Sequence, residues 1–222
     1  MRKNQLLWIL FLSANFWCVT VFAQQKALFY DEIQAFKKLD SLKPVPKNGI
    51  LFIGSSSLRK WVALEDIFES YNAINRGFGG STLKDAIYYN QDLMGNHEPR
   101  QVIIYSGEND IAEGNVSAAM VLSRFETLFS LIRQKTPGVP IGFISIKPSP
   151  SRAKYLPIII ESNSLIKKFL RGQRHTVFID VFKKMLAKHQ QMRPELFGPD
   201  MLHMNDAGYE IWIKAIKPHL IK

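Results

Sequence analysis

Cysteine is almost absent from this chain of 222 residues, which contains only Cys18. That residue lies in an N-terminal segment that we interpret as a targeting signal, so the chain left after its removal has no cysteine. Disulfide bonds, thiol nucleophiles and cysteine-ligated metals are therefore excluded for the rest of the protein. An exported protein without disulfides is more typical of the bacterial periplasm or exterior than of the disulfide-rich class of secreted modules.

Several motifs of known chemistry are also missing. The sequence has no Gly-x-x-x-x-Gly-Lys-Ser/Thr phosphate loop, no His-Glu-x-x-His metal motif and no Gly-x-Ser-x-Gly elbow. We therefore predict no metal site and no cofactor. Acidic residues are few, 19 against 29 lysines and arginines, which gives a formal net charge of +10. The basic residues are scattered, so nucleic acid is not a predicted partner, whereas a basic surface can attract anionic lipid or polysaccharide.

Residues 1–23 predict a cleaved signal peptide. Arg2 and Lys3 give a positive start, and the mostly apolar stretch 6–22 leads to a small-x-small type cleavage site. A retained membrane anchor is the alternative, but polar residues interrupt the stretch and it is shorter than the about 20 apolar residues that a span needs. We expect an exported protein, periplasmic or secreted, with one domain at 24–222. No span remains after cleavage, although contact with a membrane surface stays open.

Apolar stretches of strand length alternate with stretches of helical spacing along the rest of the chain. Strands are predicted at 50–53, 71–75, 101–105, 140–146 and 176–180. Helices are predicted at 26–39, 58–68, 81–94, 117–136, 155–170, 182–189 and 205–217. This alternation predicts an α/β protein with a parallel sheet covered by helices on both faces, a three-layer α/β/α sandwich.

Small polar residues follow the first predicted strand, where Gly54 is succeeded by Ser55, Ser56 and Ser57. Ligands bind at the carboxyl ends of strands in open parallel sheets, and backbone N–H groups at a helix N-terminus stabilise negative charge there. One of these serines is therefore a candidate nucleophile. The same residues also suit a plain helix cap, because serine is a favoured N-cap residue.

Three later stretches complete a pattern: Gly77-Phe78-Gly79-Gly80-Ser81-Thr82, Gly107-Glu108-Asn109-Asp110 and Asp200-Met201-Leu202-His203. Together with the serine stretch, and in the same order, they resemble the four sequence blocks of the SGNH (or GDSL) hydrolase family. The resemblance extends from residue 50 to about the C-terminus and points to the platelet-activating-factor acetylhydrolase-like branch. It implies a flavodoxin-like five-stranded sheet with strand order 2-1-3-4-5, and a serine ester hydrolase that works through an acyl-enzyme.

The resemblance also implies the reactive residues. By register with the Gly-Asp-Ser block the nucleophile is Ser56, although Ser55 and Ser57 remain rivals on the sequence alone. His203 is the implied base, and Asp200 is the carboxylate that orients it. Ser55 stands where the family commonly has aspartate, which puts in question the hydrogen bonds that the aspartate makes.

The implied oxyanion donors are the backbone N–H groups of Ser56 and Gly80 and the side-chain amide of Asn109. Glu108 departs from the small polar residue usual at its position and is expected to face the cleft entrance. Arg59, Arg76 and the loop 147–152 are candidate contacts for an acidic or hydroxylated substrate, with surface salt bridges as the alternative.

Export and the lack of a long apolar lid segment favour a short acyl group, such as acetyl, on a carbohydrate. A lysophospholipase or phospholipid acetylhydrolase is the alternative enzyme, which the basic surface suits. A non-catalytic glycan-binding protein on the same scaffold is the alternative from another class. The sequence makes no prediction of oligomeric state.

Overall fold

The computed structural model describes residues 27–42 and 46–222, so the predicted signal peptide lies outside the described residues. Five strands form one parallel sheet in the order β2-β1-β3-β4-β5. Their bounds are β1 Ile50–Gly54, β2 Ala73–Gly77, β3 Gln101–Tyr105, β4 Ile141–Ile144 and β5 Thr176–Ile179. The predicted α/β fold class and the strand order implied by the resemblance are both confirmed.

Nine α-helices flank the sheet within the described residues. They are α1 Tyr30–Leu42, α2 Ser56–Arg59, α3 Leu64–Ile67, α4 Leu83–Tyr88, α5 Asn90–Met94, α6 Glu108–Ala112, α7 Ala118–Lys135, α8 Leu156–Arg171 and α9 Asp206–Ile216. Alternate side chains of β1 enter two separate hydrophobic clusters. Leu51 and Ile53 pack with α1, α4, α5, α7 and α8, whereas Ile50 and Phe52 pack with α2, α3 and α9. The two clusters on opposite faces make the predicted three layers.

The central strands bring the site-bearing loops together. Gly54, the last residue of β1, is paired with Gly77 of β2 on one side and with Tyr105 of β3 on the other. All three strands therefore end at the same edge of the sheet. Every residue of β1 and β3 is buried, as expected for near-continuous apolar strands covered on both faces.

Three predicted helices are wrong in detail. In place of the single helix predicted at 58–68, the structure has the two short helices α2 and α3. Successive tight turns, and not one continuous helix, bring four apolar side chains into the core: Leu58, Trp61, Leu64 and Phe68. The prediction at 81–94 is divided into α4 and α5. The segment 182–189 forms two 3₁₀ turns with His189 in the left-handed region (φ 58°), which a continuous helix does not allow.

In the ranges 27–42 and 46–222, no helix combines the length and hydropathy that a membrane crossing requires.

Candidate active site

Ser56 is the one serine of its stretch that reaches the surface. It is the first residue of α2, directly after β1, with Ser55 as the extended N-cap residue. The neighbouring Ser55 and Ser57 are only 2% and 1% exposed, whereas Ser56 is half-buried. Glycine is required at position 54 because a Cβ there would lie 1.9 Å from the carbonyl oxygen of Tyr105. The close packing of β1 on β3 thus fixes where α2 begins.

His203 joins Ser56 to Asp200. Its Nε2 lies 2.9 Å from Oγ of Ser56, and its Nδ1 lies 2.6 Å from Oδ2 of Asp200. With the proton on Nδ1, the ring donates to the carboxylate and accepts from the serine hydroxyl. The side-chain hydrogen bond with His203 holds the pKa of Asp200 well below its usual range. A serine, an imidazole and an ionised carboxylate in this order can move a proton away from the serine hydroxyl.

The loop that carries Asp200 and His203 is held by short-range hydrogen bonds. Oδ1 of Asp200 accepts from the backbone N–H groups of Leu202 (3.0 Å) and His203 (2.9 Å). The N–H of Gly198 donates to the carbonyl oxygen of His203 at 2.8 Å. Met201 lies between the two functional residues in the left-handed region, with φ 53°. These contacts hold the Asp200 carboxylate against His203, whose ring reaches Ser56.

Gly80 and Asn109 lie on the loops that follow β2 and β3. Gly80 is exposed with φ +73°, and no heavy atom lies within 4 Å of the position that a Cβ would take. The Asn109 amide donates to the carbonyl oxygen of Ser81 at 3.0 Å. One amide hydrogen of Asn109 is thus used to tie the loops together, and no described contact among residues 27–42 and 46–222 uses the other.

Asp110 reinforces this connection and was missed as a functional residue by the sequence analysis. Its fully buried carboxylate accepts from the N–H of Leu83 (2.8 Å) and from Arg124 (2.7 Å). Burial raises the pKa of Asp110, and both hydrogen bonds act against that change. Consecutive residues of α6 therefore bond to the Gly80 loop, which fixes the two candidate donor loops against each other.

The structure corrects the expectation for Arg76. Its guanidinium is buried under α1, where it pairs with Asp40, stacks on the ring of Phe36 and lies 3.0 Å from His97. With only 4% of the residue exposed, Arg76 is not available to a substrate. The alternating directions of side chains along a strand explain this, because β2 turns Arg76 into the helical layer.

Glu108 also requires correction, since it does not face the cleft entrance. It is buried and bonded to Tyr105 (3.0 Å), Lys147 and Ser149. Arg59 does remain at the surface. Its Nε lies 3.0 Å from Glu32, and its guanidinium covers Gly79, where a Cβ would meet Nη1 at 2.0 Å.

Lys60 is a second residue that the sequence analysis missed. Its half-exposed Nζ lies 3.1 Å from Nδ1 of His203 and 3.7 Å from Oδ2 of Asp200. The signal was its position one helical turn after Ser56, which places both side chains on the same face. Lys60 and Arg59 are exposed cations on this rim of the site, and each lies beside a carboxylate, Asp200 and Glu32 respectively.

Comparisons with known proteins identify the family and the fold. The model of the GDSL-like lipase/acylhydrolase family matches residues 51–211. A search of curated proteins finds no match. The described fold resembles that of a Streptococcus pneumoniae structure described as a "putative platelet activating factor", which is 24% identical with a TM-score of 0.75, covering 86% of this chain and 92% of that one.

Two other solved structures are similar in fold. A GDSL-like lipase from Bacteroides thetaiotaomicron is 20% identical with a TM-score of 0.70, covering 85% of this chain and 96% of that one. A family 3 carbohydrate esterase from Clostridium thermocellum is 17% identical with a TM-score of 0.57, covering 79% and 98%. The resemblance inferred from four short motifs is thereby confirmed. Because the family match covers most of the sequence, the chain belongs to the GDSL-like lipase/acylhydrolase family and is a carboxylic ester hydrolase.

Proposed function

We propose that Ser56 is the nucleophile of an acyl-enzyme mechanism, with His203 as the base and Asp200 as its orienting carboxylate. The observation that carries this proposal is the continuous chain from Ser56 Oγ to His203 Nε2 (2.9 Å) and from His203 Nδ1 to Asp200 (2.6 Å). Ser56 Oγ attacks the ester carbonyl carbon while its proton moves to His203 Nε2. The C–O bond to the alcohol then breaks, and the alcohol leaves with that proton.

Water completes the cycle. His203 takes a proton from the water molecule, whose oxygen attacks the acyl carbon, and the bond to Ser56 breaks as the proton returns to Oγ. In both steps negative charge develops on the former carbonyl oxygen. The donors proposed for it are the N–H groups of Ser56 and Gly80 and the free amide hydrogen of Asn109. The tie from Asn109 to Ser81 supports this set, because it places two donors on loops already fixed together.

A short-acyl ester of a carbohydrate is the proposed substrate. The loops that carry the candidate site contribute several polar side chains, namely Arg59, Lys60, Asn109 and Asp200. A polar rim suits the hydroxyl groups of a sugar better than a long acyl chain. Proteins of the same fold include an acetyl esterase and carbohydrate esterases, which makes acetylated sugars the first substrates to test. Export through the signal peptide at 1–23 would bring the domain 24–222 to such substrates outside the cytoplasm.

Two exposed cations favour one second candidate, a phospholipid acylhydrolase. Lys60 and Arg59 are both exposed beside the reactive chain, and cations there can attract a phosphate-bearing head group. A series of 4-nitrophenyl esters from acetyl to long acyl separates the candidates. We expect kcat/KM to be highest for acetyl, and a preference for long chains would favour the phospholipid.

Hydrolysis of 4-nitrophenyl acetate by the parent protein, Ser56→Ala and Ser57→Ala tests the mechanism. We expect Ser56→Ala to lower kcat/KM by on the order of 10⁴-fold or more, since removal of such a nucleophile leaves only binding and the oxyanion donors. Ser57→Ala is the matched control, because it removes a neighbouring hydroxyl that is buried. Loss of turnover in Ser57→Ala alone would contradict the assignment of Ser56, and a folded but inactive parent would favour glycan binding without catalysis.

A further inference from the structure

A short segment after β4 contacts both sides of the candidate site. Residues 147–151, Lys147-Pro148-Ser149-Pro150-Ser151, are named here the bridging segment. Its first half bonds to Glu108, the neighbour of Asn109 on α6. Its last residue donates a backbone hydrogen bond to the loop that carries Asp200 and His203.

The contact with α6 is a closed polar network in the interior. Lys147 and Ser149 are fully buried, and Glu108 is only 4% exposed. The Glu108 carboxylate pairs with the Lys147 ammonium, accepts from Ser149 Oγ at 2.5 Å and accepts from the Tyr105 hydroxyl at 3.0 Å. Burial lowers the pKa of Lys147, and the charge of Glu108 acts against that change. Each of these bonds restricts the orientation of the Glu108 side chain.

The opposite end of the segment reaches the histidine loop. The N–H of Ser151 donates to the carbonyl oxygen of Met201 at 3.0 Å, and Met201 directly follows Asp200. Directly after the segment, the N–H of Arg152 donates back to the carbonyl oxygen of Ser149 at 2.9 Å. Pro148 and Pro150 restrict the backbone further, because proline fixes φ. The segment is therefore a stiff connection between two loops that are distant in sequence.

Stability alone does not explain a buried ion pair in this place. Taking two charges out of water costs free energy, and well-packed apolar residues of similar volume often serve a fold equally well. An apolar pair has no hydrogen-bond donors or acceptors, so it does not select one orientation of its side chains. The ion pair lies next to the one side chain, Asn109, whose amide is proposed to meet the reacting oxygen.

We propose that the bridging segment sets the position of Asn109 relative to His203, and that Lys147, Ser149 and Glu108 are positioning residues for the reaction. This rests on the proposed function of Ser56, Asn109 and His203. The segment acts as a spacer: Glu108 fixes α6 at one end, and Met201 fixes the histidine loop at the other. None of the three side chains needs to touch the substrate.

Two variants test this role, and each is chosen to disrupt the network without leaving a buried charge unpaired. Ser149→Ala removes one hydrogen bond to Glu108 and leaves the ion pair. The double variant Glu108→Gln/Lys147→Met removes both charges, so that neither is left buried and unpaired. The control is Arg133→Met, which removes a charged side chain that bonds to the backbone carbonyls of Val139, Arg174 and His175 at the amino-terminal end of β4 and β5.

We expect both variants to lower kcat for 4-nitrophenyl acetate by about 10-fold with KM changed less than about 2-fold, since a misplaced oxyanion donor weakens binding of the transition state only. Hydrogen exchange should also become faster in both 107–112 and 198–204. Arg133→Met should show neither effect. Parent-like kcat and parent-like exchange in the double variant would overturn the proposal.

The hydrogen-exchange measurement separates this proposal from the proposed function. If the parent does not hydrolyse the ester, or if Ser56→Ala retains activity, the proposed function fails. Faster exchange in both loops of Ser149→Ala would then still support the spacer. Faster exchange confined to 147–152 would overturn it, whatever the parent does.

Discussion

Ser56 and His203 meet at 2.9 Å, yet the two sides of this contact are built in different ways. Ser56 follows a fully buried central strand and lies beside Gly54, which touches the backbone of β3. His203 lies in an irregular segment outside the sheet, next to an Asp200 side chain that is 45% exposed. One side is positioned by close backbone packing, whereas the other is positioned by individual hydrogen bonds.

This difference predicts how substitutions affect each side of the contact. Close backbone packing tolerates no added atom, because the strands cannot separate without disturbing the core. A loop held by hydrogen bonds tolerates added atoms but loosens when a donor or an acceptor is removed. Substitutions of the same chemical kind should therefore have opposite outcomes on the two sides.

The largest difference is expected between two glycine substitutions. In Gly54→Ala the Cβ would lie 1.9 Å from the Tyr105 carbonyl oxygen, whereas in Gly198→Ala the nearest atom is the His203 carbonyl oxygen at 3.6 Å. We expect Gly54→Ala to lose about 3 kcal/mol or more of unfolding free energy, or to fail to fold. Gly198→Ala should retain the parent stability and activity. Chemical denaturation with an assay of each folded variant measures this, and equal losses would contradict the comparison.

A smaller effect is expected at Asn205, which caps α9 and ties down the histidine loop. Its Oδ1 accepts from the N–H of Gly208 (3.2 Å), and its Nδ2 donates to the carbonyl oxygen of Glu195 (2.9 Å). We expect Asn205→Ala to lose about 1 kcal/mol of stability, the usual cost of a lost N-cap. We also expect kcat to fall severalfold, because the loop that ends at His203 loosens.

Ser117→Ala is the control for this prediction. Ser117 caps α7 through the N–H of Met120 (3.3 Å), and the described structure gives it no bond to the site loops. It should lose similar stability with kcat unchanged. A parallel fall in kcat in both variants would mean that the effect of Asn205 is only a general loss of stability.

The difference between the Ser56 side and the His203 side of the contact also explains which parts of the site the sequence could predict. An apolar run that ends in glycine and serines is a local signal, so β1 and the turn to Ser56 could be predicted from neighbouring residues. The pairing of His203 with Ser56 depends on a contact across 147 positions and came only through the resemblance to the family. Local patterns carry no information about such contacts.

The wrong predictions for Glu108 and Arg76 also arise from contacts between residues that are distant in sequence. Glu108 and Arg76 are charged, and charged side chains are usually exposed, so both were expected at the cleft. Their oppositely charged partners, Lys147 and Asp40, are 39 and 36 positions away, and burial of each charge depends on this pairing. The helix predicted at 58–68 failed differently, because the correct core residues were identified but were assigned to one continuous helix.

The smallest expected effect concerns the pH dependence of the Asp200 contact. The hydrogen bond from His203 lowers the folded pKa of Asp200 below the unfolded value of about 3.9. Its contribution to stability is therefore present above about pH 4 and is lost as the pH falls through the lower folded pKa. Because the side chain is 45% exposed, the contribution should stay below about 1 kcal/mol.

Thermal unfolding of the parent and Asp200→Asn between pH 7 and pH 3 measures this contribution. The difference in Tm should persist down to about pH 4 and shrink below it, since the unfolded state then takes up a proton that the folded carboxylate does not yet bind. The same substitution in a His203→Ala background is the control, and its effect should be smaller because the hydrogen bond is already lost. A difference that instead grows as the pH falls toward 4 would mean that the folded pKa of Asp200 is raised, and it would contradict this prediction.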